Sequence, residues 1–316
     1  MSKEAQDMKI EKEASAPAIH YSSLSIRIAD ITFNIKNARP DLKLQVVGSS
    51  REFLVHGTPP EIAIEARWQD LSVLELKQGK QIFDSGSLWQ LYRQNGDYVF
   101  SLISPAFGQI PYKVAFLRKD YSKGEVLLHK AYFDPEQPVN PLNYPLDELI
   151  LINYLSSGRG IEVHACGLVD SLGQGHLFAG HSEAGKTTTA RLWEGEAGIT
   201  ILSDDRIVLR KIENKIWMYG TPWHGDARLA SPERAPLSRI YFLRHGEKNE
   251  LVKQRKNPSL MRLMACSFLP YYNPQAIDFS LTFFEEIVSS VPCHELSFLP
   301  DKGVVEYLQK EIGLHS

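Results

Sequence analysis

The sequence predicts an α/β protein with a mixed α+β sheet, in which a smaller β-rich domain precedes a domain built around a phosphate-binding loop. Three observations predict it. Residues 21–133 divide into short, strand-like apolar segments separated by turn residues. Residues 161–312 instead alternate strand-like and helix-like stretches. Within that second half a Gly-x-x-x-x-Gly-Lys-Thr run stands between an apolar strand and a helix-forming segment.

Composition bounds what such a chain does. It has 316 residues, 43% hydrophobic and 23% charged, enough for two compact cores. The net charge of -3, from 35 basic and 38 acidic side chains, offers no broad positive field. Nucleic acid and anionic membranes are therefore set aside as partners. Cys166, Cys266 and Cys293 are odd in number and lack metal-ligand spacing, which suits a reducing compartment. The first twenty residues carry no apolar stretch of signal-peptide type, and no later run reaches the roughly 18 apolar residues of a membrane span. A cytoplasmic location is expected, and the composition leaves room for a homo-oligomer.

Taken in order, residues 1–18 are charged and poor in large apolar side chains, the signature of a flexible tail. Residues 19–140 form the expected β-rich domain. SIRIADITFNI, REFLVHG and YKVAFLRKD have strand character, and Ser87–Ile103 reads as a hairpin turning at Asn95-Gly96. Trp89, Tyr92, Tyr98 and Phe100 alternate around that turn as one face of a sheet core. The Pro-rich passage 134–141 breaks regular structure and marks a boundary, after which residues 141–316 form the second domain.

That domain begins with a helix over 146–156. Strands follow at 161–169 and 176–179, a helix at 186–193, and strands at 199–203, 206–211, 215–219 and 239–243. Helical stretches near 259–266 and 276–289, a strand at 294–298 and an amphipathic helix over 302–312 complete the chain.

Gly180, His181, Ser182, Glu183, Ala184, Gly185, Lys186 and Thr187 make up the phosphate loop. Its two glycines free the backbone so that successive N–H groups can wrap a phosphate. Four fixed positions recur by accident in a chain this long on the order of one time in a hundred. Lys186 is expected to neutralise the β- and γ-phosphates of ATP, with the Thr187 hydroxyl on Mg²⁺ and Thr188 in the same helical turn. Asp204 and Asp205 end the apolar run Ile199–Ser203, where an α/β sheet places ligand groups. Neighbours on an extended chain point to opposite sides, so one carboxylate can meet the metal while the other faces an acceptor hydroxyl as base. By itself, His164 on its strand reads more readily as a core residue than as a catalyst. Within Tyr219–Asp226, rich in turn formers, His224 and Asp226 are candidates for closing over nucleotide or acceptor, against the simpler reading of a turn packed around Trp223.

In series, VHACGLVD, FAGHSEAGKTTTARLW and ILSDDRIVLR resemble the carboxy-terminal catalytic domain of HPr kinase/phosphorylase, over about residues 159–210. Phosphoenolpyruvate carboxykinase has a related loop and Asp-Asp segment, so the resemblance implies that nucleotide-binding fold. It implies that Lys186 and Thr187 hold nucleotide and Mg²⁺, that Asp204 assists the metal and Asp205 is the base, and that His164 lines the reacting centre. Ala165 stands where that family has glycine after its histidine, and the loop serving phosphorolysis has no counterpart here. The expectation is therefore a divergent kinase acting on a hydroxyl, with a serine of a peptide or protein as acceptor and no phosphorylase role. The rival readings are a nucleotide-binding regulator with weak transfer and a plain nucleotide triphosphatase.

Overall fold

The computed structural model describes residues 21–72, 79–86 and 88–312. The charged segment 1–18 and the first residue of the Ser87–Ile103 hairpin lie outside the described residues. Strands β1 (Ser23–Ile28) and β2 (Ile31–Asn37) pair antiparallel across a turn at Ala29 and Asp30, both with positive φ. The chain continues through β3 (Leu54–Val55), β4 (Ile62–Gln69), β5 (Lys80–Asp84), β6 (Trp89–Gln94), β7 (Asp97–Ser104), β8 (Gly108–Leu117) and β9 (Lys123–His129). These nine described strands form one mixed sheet in the order β3-β1-β2-β4-β9-β8-β7-β6-β5, with β4 parallel to both β2 and β9.

The expected hairpin is β6–β7, turning on Asn95 and Gly96 at φ 53° and 91°. Phe100 is fully buried, Trp89 stacks on Phe83 at 4.7 Å and Tyr98 packs against the same core, whereas Tyr92, opposite Val99, packs on the other face, so the expected single face is split between the two sides of the sheet. The REFLVHG segment departs from its strand reading. Gly48–Phe53 winds into a 3₁₀ helix with Phe53 buried, and only Leu54–Val55 pairs, with β1. An apolar run this short does not distinguish helix from strand by its periodicity.

The passage 134–141 crosses back over the first half of the chain, with Val139 bonded to the backbone of Gln45 and Lys43 at 3.0 Å each. Helix α1 (Leu146–Leu155) is apolar around most of its circumference because it is covered on more than one side. Leu146, Leu149, Ile150, Leu151 and Leu155 share a core with β1, β2 and β4, and the helix also touches β10 (Ile161–Val169).

The second sheet comprises β10, β11 (Gly175–Ala179), β12 (Thr200–Ser203), β13 (Arg206–Ile212), β14 (Lys215–Tyr219), β15 (Arg234–His245), β16 (Glu250–Lys253), β17 (Ser267–Phe268) and β18 (Cys293–Phe298). Helix α2 (Lys186–Trp193) joins β11 to β12. Helices α3 (Lys256–Ala265) and α4 (Pro274–Ser290) fill the later connections, and α5 (Gly303–Ile312) follows β18. Two long strands change partners along their length. The first half of β10 pairs with β13 and its second half with β11 and β12. Strand β15 pairs in succession with β14, β11 and β18, which is why it runs well beyond the expected 239–243. The short strands β16 and β17 were not expected, because four-residue and two-residue pairings leave almost no periodic signal.

Strands β11, β15 and β18 are mutually parallel neighbours, so their carboxyl ends at Ala179, His245 and Phe298 lie along one edge. That edge is where an α/β sheet holds its ligand. Among the described residues no helix is long and apolar enough to cross a membrane.

Candidate active site

The loop of residues 180–187 leaves β11 at that edge and closes onto α2. Gly185 caps the helix at φ 103°, in the left-handed region that favours glycine, and a Cβ there would meet the Phe298 ring at 2.7 Å. Gly180 is needed for space, since a Cβ would meet the Ala184 methyl at 2.6 Å. Glu183 also has positive φ, at 67°, and its carbonyl accepts from His245 Nε2 at 2.8 Å. Thr189 fastens the first helical turn through its hydroxyl to the Gly185 carbonyl. His181, Ser182 and Glu183 are exposed, Ala184, Thr187 and Thr188 half-buried.

Lys186 is 6% exposed and donates to the carbonyls of Gly180 and His181 at 3.0 and 2.9 Å. Burial pulls its amine below the ordinary lysine value, and the Asp205 carboxylate works against that pull.

Asp204 and Asp205 stand in the turn between β12 and β13. Ser203 Oγ accepts from the backbone N–H groups of Asp205 and Arg206 and so shapes the turn. The two carboxylates diverge. Asp204 is fully buried and accepts from the Gly225 and Ala227 backbone N–H groups at 2.8 and 2.9 Å. Asp205 lies 2.8 Å from His164 Nε2 and pairs with the Arg206 guanidinium. Burial alone would raise the Asp205 carboxyl, but the His164 hydrogen bond and the Arg206, His164 and Lys186 charges hold it below the usual value.

His164 is therefore a ring partnered by a carboxylate, not a core residue satisfied by backbone. Register explains the meeting, since His164 on β10 lies opposite Arg206 on β13. His224 and Asp226 are exposed, and their side chains do not join the Asp205 group. His224 Nδ1 faces the Gly225 carbonyl, and Asp226 contributes its backbone carbonyl, which accepts from Arg191 of α2 at 3.0 Å. Their loop nonetheless sits against the site, through Gly225 and Ala227 on Asp204.

Four polar residues of this site had no individual expectation. Arg206 donates to Glu148 of α1 at 2.8 Å, approaches Glu162 of β10 at 3.5 Å and lies 4.2 Å over the Phe268 ring. Asp147 Oδ2 accepts from Trp223 Nε1 at 3.1 Å, which ties α1 to the loop carrying His224. One signal was present, for Glu162 and His164 are two apart on a strand and share a face. Nothing local marks Asp147 and Glu148, which look like ordinary acids in a first helical turn.

The described residues bring no three His, Cys, Asp or Glu side chains together as a metal cluster. The oxygen donors that would serve a hard divalent cation are the Thr187 hydroxyl and the Asp204 carboxylate.

No protein-family model matches this chain, and no curated protein matches it. Among solved structures it is similar to the Hpr(Ser) kinase/phosphatase from Coxiella burnetii, at 14% identity over 48% of this chain and 98% of that chain, with a TM-score of 0.28.

Proposed function

We propose that this chain is an ATP- and Mg²⁺-dependent kinase of the HPr-kinase-like kind, transferring the γ-phosphoryl group to a hydroxyl, with a serine of a peptide or protein as the acceptor. The observation that carries the reading is the Asp205 carboxylate, held between His164 and Arg206 in the field of the phosphate-loop Lys186. A loop glycine pair without such a carboxylate would support nucleotide binding alone.

In this reading the backbone N–H groups of residues 181–186 and the α2 dipole take the phosphates, and Lys186 turns from its own loop carbonyls to the β- and γ-oxygens. Thr187 and Asp204 would hold Mg²⁺, which would supply charge neutralisation at the phosphates. The acceptor oxygen forms its bond to the γ-phosphorus as the bond to the β-phosphate oxygen breaks. The hydroxyl proton passes to Asp205, and ADP leaves with the electron pair of the broken bond. His164 orients the carboxylate and Arg206 balances its charge. We further take residues 19–140 as the part that meets the acceptor, and the cytoplasm as the compartment.

The test is turnover of γ-labelled Mg²⁺-ATP by the full chain, with serine-containing peptides as acceptors. Label on a hydroxyl that disappears in Asp205→Asn supports the kinase. Hydrolysis that no acceptor accelerates would make it a triphosphatase, and binding without turnover a regulator.

A further inference from the structure

Beside the Arg206 guanidinium that pairs with Asp205 lies a second carboxyl group with no evident task. The Glu162 side chain is 0% exposed, and neither of its oxygens has a hydrogen-bond donor. An ionised carboxylate stranded like this costs several kcal/mol, so the structure has to answer for it. The groups facing it come from three elements. Glu148 and Asp147 approach from α1, Tyr144 from the turn before α1, and Arg206 from β13. Lys113 of β8 stands behind Asp147.

Charge does not balance if every acid is ionised. Arg206 alone faces Glu148 and Asp205 by direct contact and Glu162 at 3.5 Å. Glu148 and Glu162 both face the same Arg206 Nε, at 2.8 and 3.5 Å, so two buried carboxyl groups meet on one N–H, an arrangement that calls for a proton on one of them.

We propose that Glu162 carries a proton, donates it to Glu148, and through this carboxyl pair seats the Arg206 guanidinium against Asp205. The inference rests on the kinase reading only for its consequence in transfer, and the proton itself stands on geometry. Glu162 is then a positioning residue that never meets substrate. Glu148 is kept in line for its bond to Arg206 Nε, and the Arg206 fork is turned so that Nη1 reaches Asp205. Burial first, then the Glu148 charge and hydrogen bond, push the Glu162 carboxyl well above the ordinary carboxylate range, while Arg206 opposes them.

The sign of the pH effect follows. The folded chain keeps a proton that the unfolded chain releases above about pH 4.5, so stability is lost as pH rises from there towards the folded value. Glu162→Gln replaces the acid by a neutral side chain that still donates to Glu148. The experiment measures thermal unfolding of wild type and Glu162→Gln across pH 5.5–8.5. The variant's melting temperature should gain on wild type by about 3 °C or more towards the alkaline end. Parallel profiles would overturn the shared proton.

The second arm compares Mg²⁺-ATP turnover. Glu162→Asp withdraws the carboxyl by one methylene and should lower kcat about tenfold at unchanged KM for ATP, with Glu162→Gln recovering most of the loss. Equal losses in both variants would overturn the positioning role. If wild type transfers no phosphate, the kinase reading fails, and the pH comparison still decides this one.

Discussion

Lys186 and Asp205 bring opposite charges into a half-buried space that neither could occupy alone at low cost. Their proposed tasks separate on substitution. Lys186→Ala should abolish measurable Mg²⁺-ATP binding in a calorimetric titration, because the loop then cradles phosphate without its cation. Asp205→Asn should leave binding intact and reduce transfer by about 10²–10⁴-fold in a single-turnover assay, the span expected for loss of a general base. Gly185 bears on the same site through conformation. At φ 103° and 2.7 Å from the Phe298 ring, alanine faces both backbone strain and overlap. Gly185→Ala should cost roughly 1–3 kcal/mol in denaturant unfolding and weaken nucleotide binding. The loop and the Asp pair were legible in sequence because their chemistry is packed into a few consecutive residues. His164 was legible only through resemblance, since its partner lies on another strand and no local pattern states the register.

Among the elements, the turn after β12 and the loop 220–228 depend on one another. Asp204 spends its carboxylate on the Gly225 and Ala227 N–H groups, and the proposed metal role adds to this structural task. A Cβ on Gly225 would lie 2.7 Å from Asp204 Oδ2, so Gly225→Ala should push loop and turn apart. The expected outcome is a transfer rate about tenfold lower at nearly unchanged melting temperature, read by kinetics beside thermal unfolding. His224 and Asp226 have exposed side chains, while their neighbours Gly225 and Ala227 bond Asp204 through backbone N–H groups. Trp223 is 8% exposed and bonded to Asp147. Helix α1 was expected as a helix over 146–156, and its spacing alone did not state what covers it. It serves two neighbours, and its first-turn acids Asp147 and Glu148 face inward to Trp223 and Arg206.

Across the whole molecule, the two sheets are joined by polar groups as well as by the core around α1. Tyr219 and Arg234 both reach Asp30 of the β1–β2 turn, and Arg210 donates to the Ala29 carbonyl at 2.6 Å. Lys113 of β8 is fully buried, bonded to Asn143 ahead of α1, and its amine is pulled down to about 7 by burial, with Asp147 opposing. The folded pKa lies below the unfolded one, so the penalty for burying this amine develops as pH falls from about 10.5 to 7 and is constant below. Lys113→Met should therefore melt higher than wild type by about 5 °C or more at pH 6.5, with the gap closing towards pH 10. A constant gap would mean that Lys113 is charged in the fold throughout that range.

Sequence by itself determined what is local: the alternation of elements, the Asn95-Gly96 hairpin, the glycine-flanked loop of residues 180–187 between its strand and helix, and the paired aspartates. Each is encoded within about a dozen residues, the reach of backbone hydrogen bonds and side-chain periodicity. Tertiary structure alone decided which distant groups meet. It set β10 against β13 so that His164 reaches Asp205, folded α1 over both so that Glu148 meets Arg206, and left Glu162 in a closed space with another acid. The first two contacts join residues 41 and 58 positions apart, and the energies of all three come from desolvation and register, which exist only once the sheets are assembled.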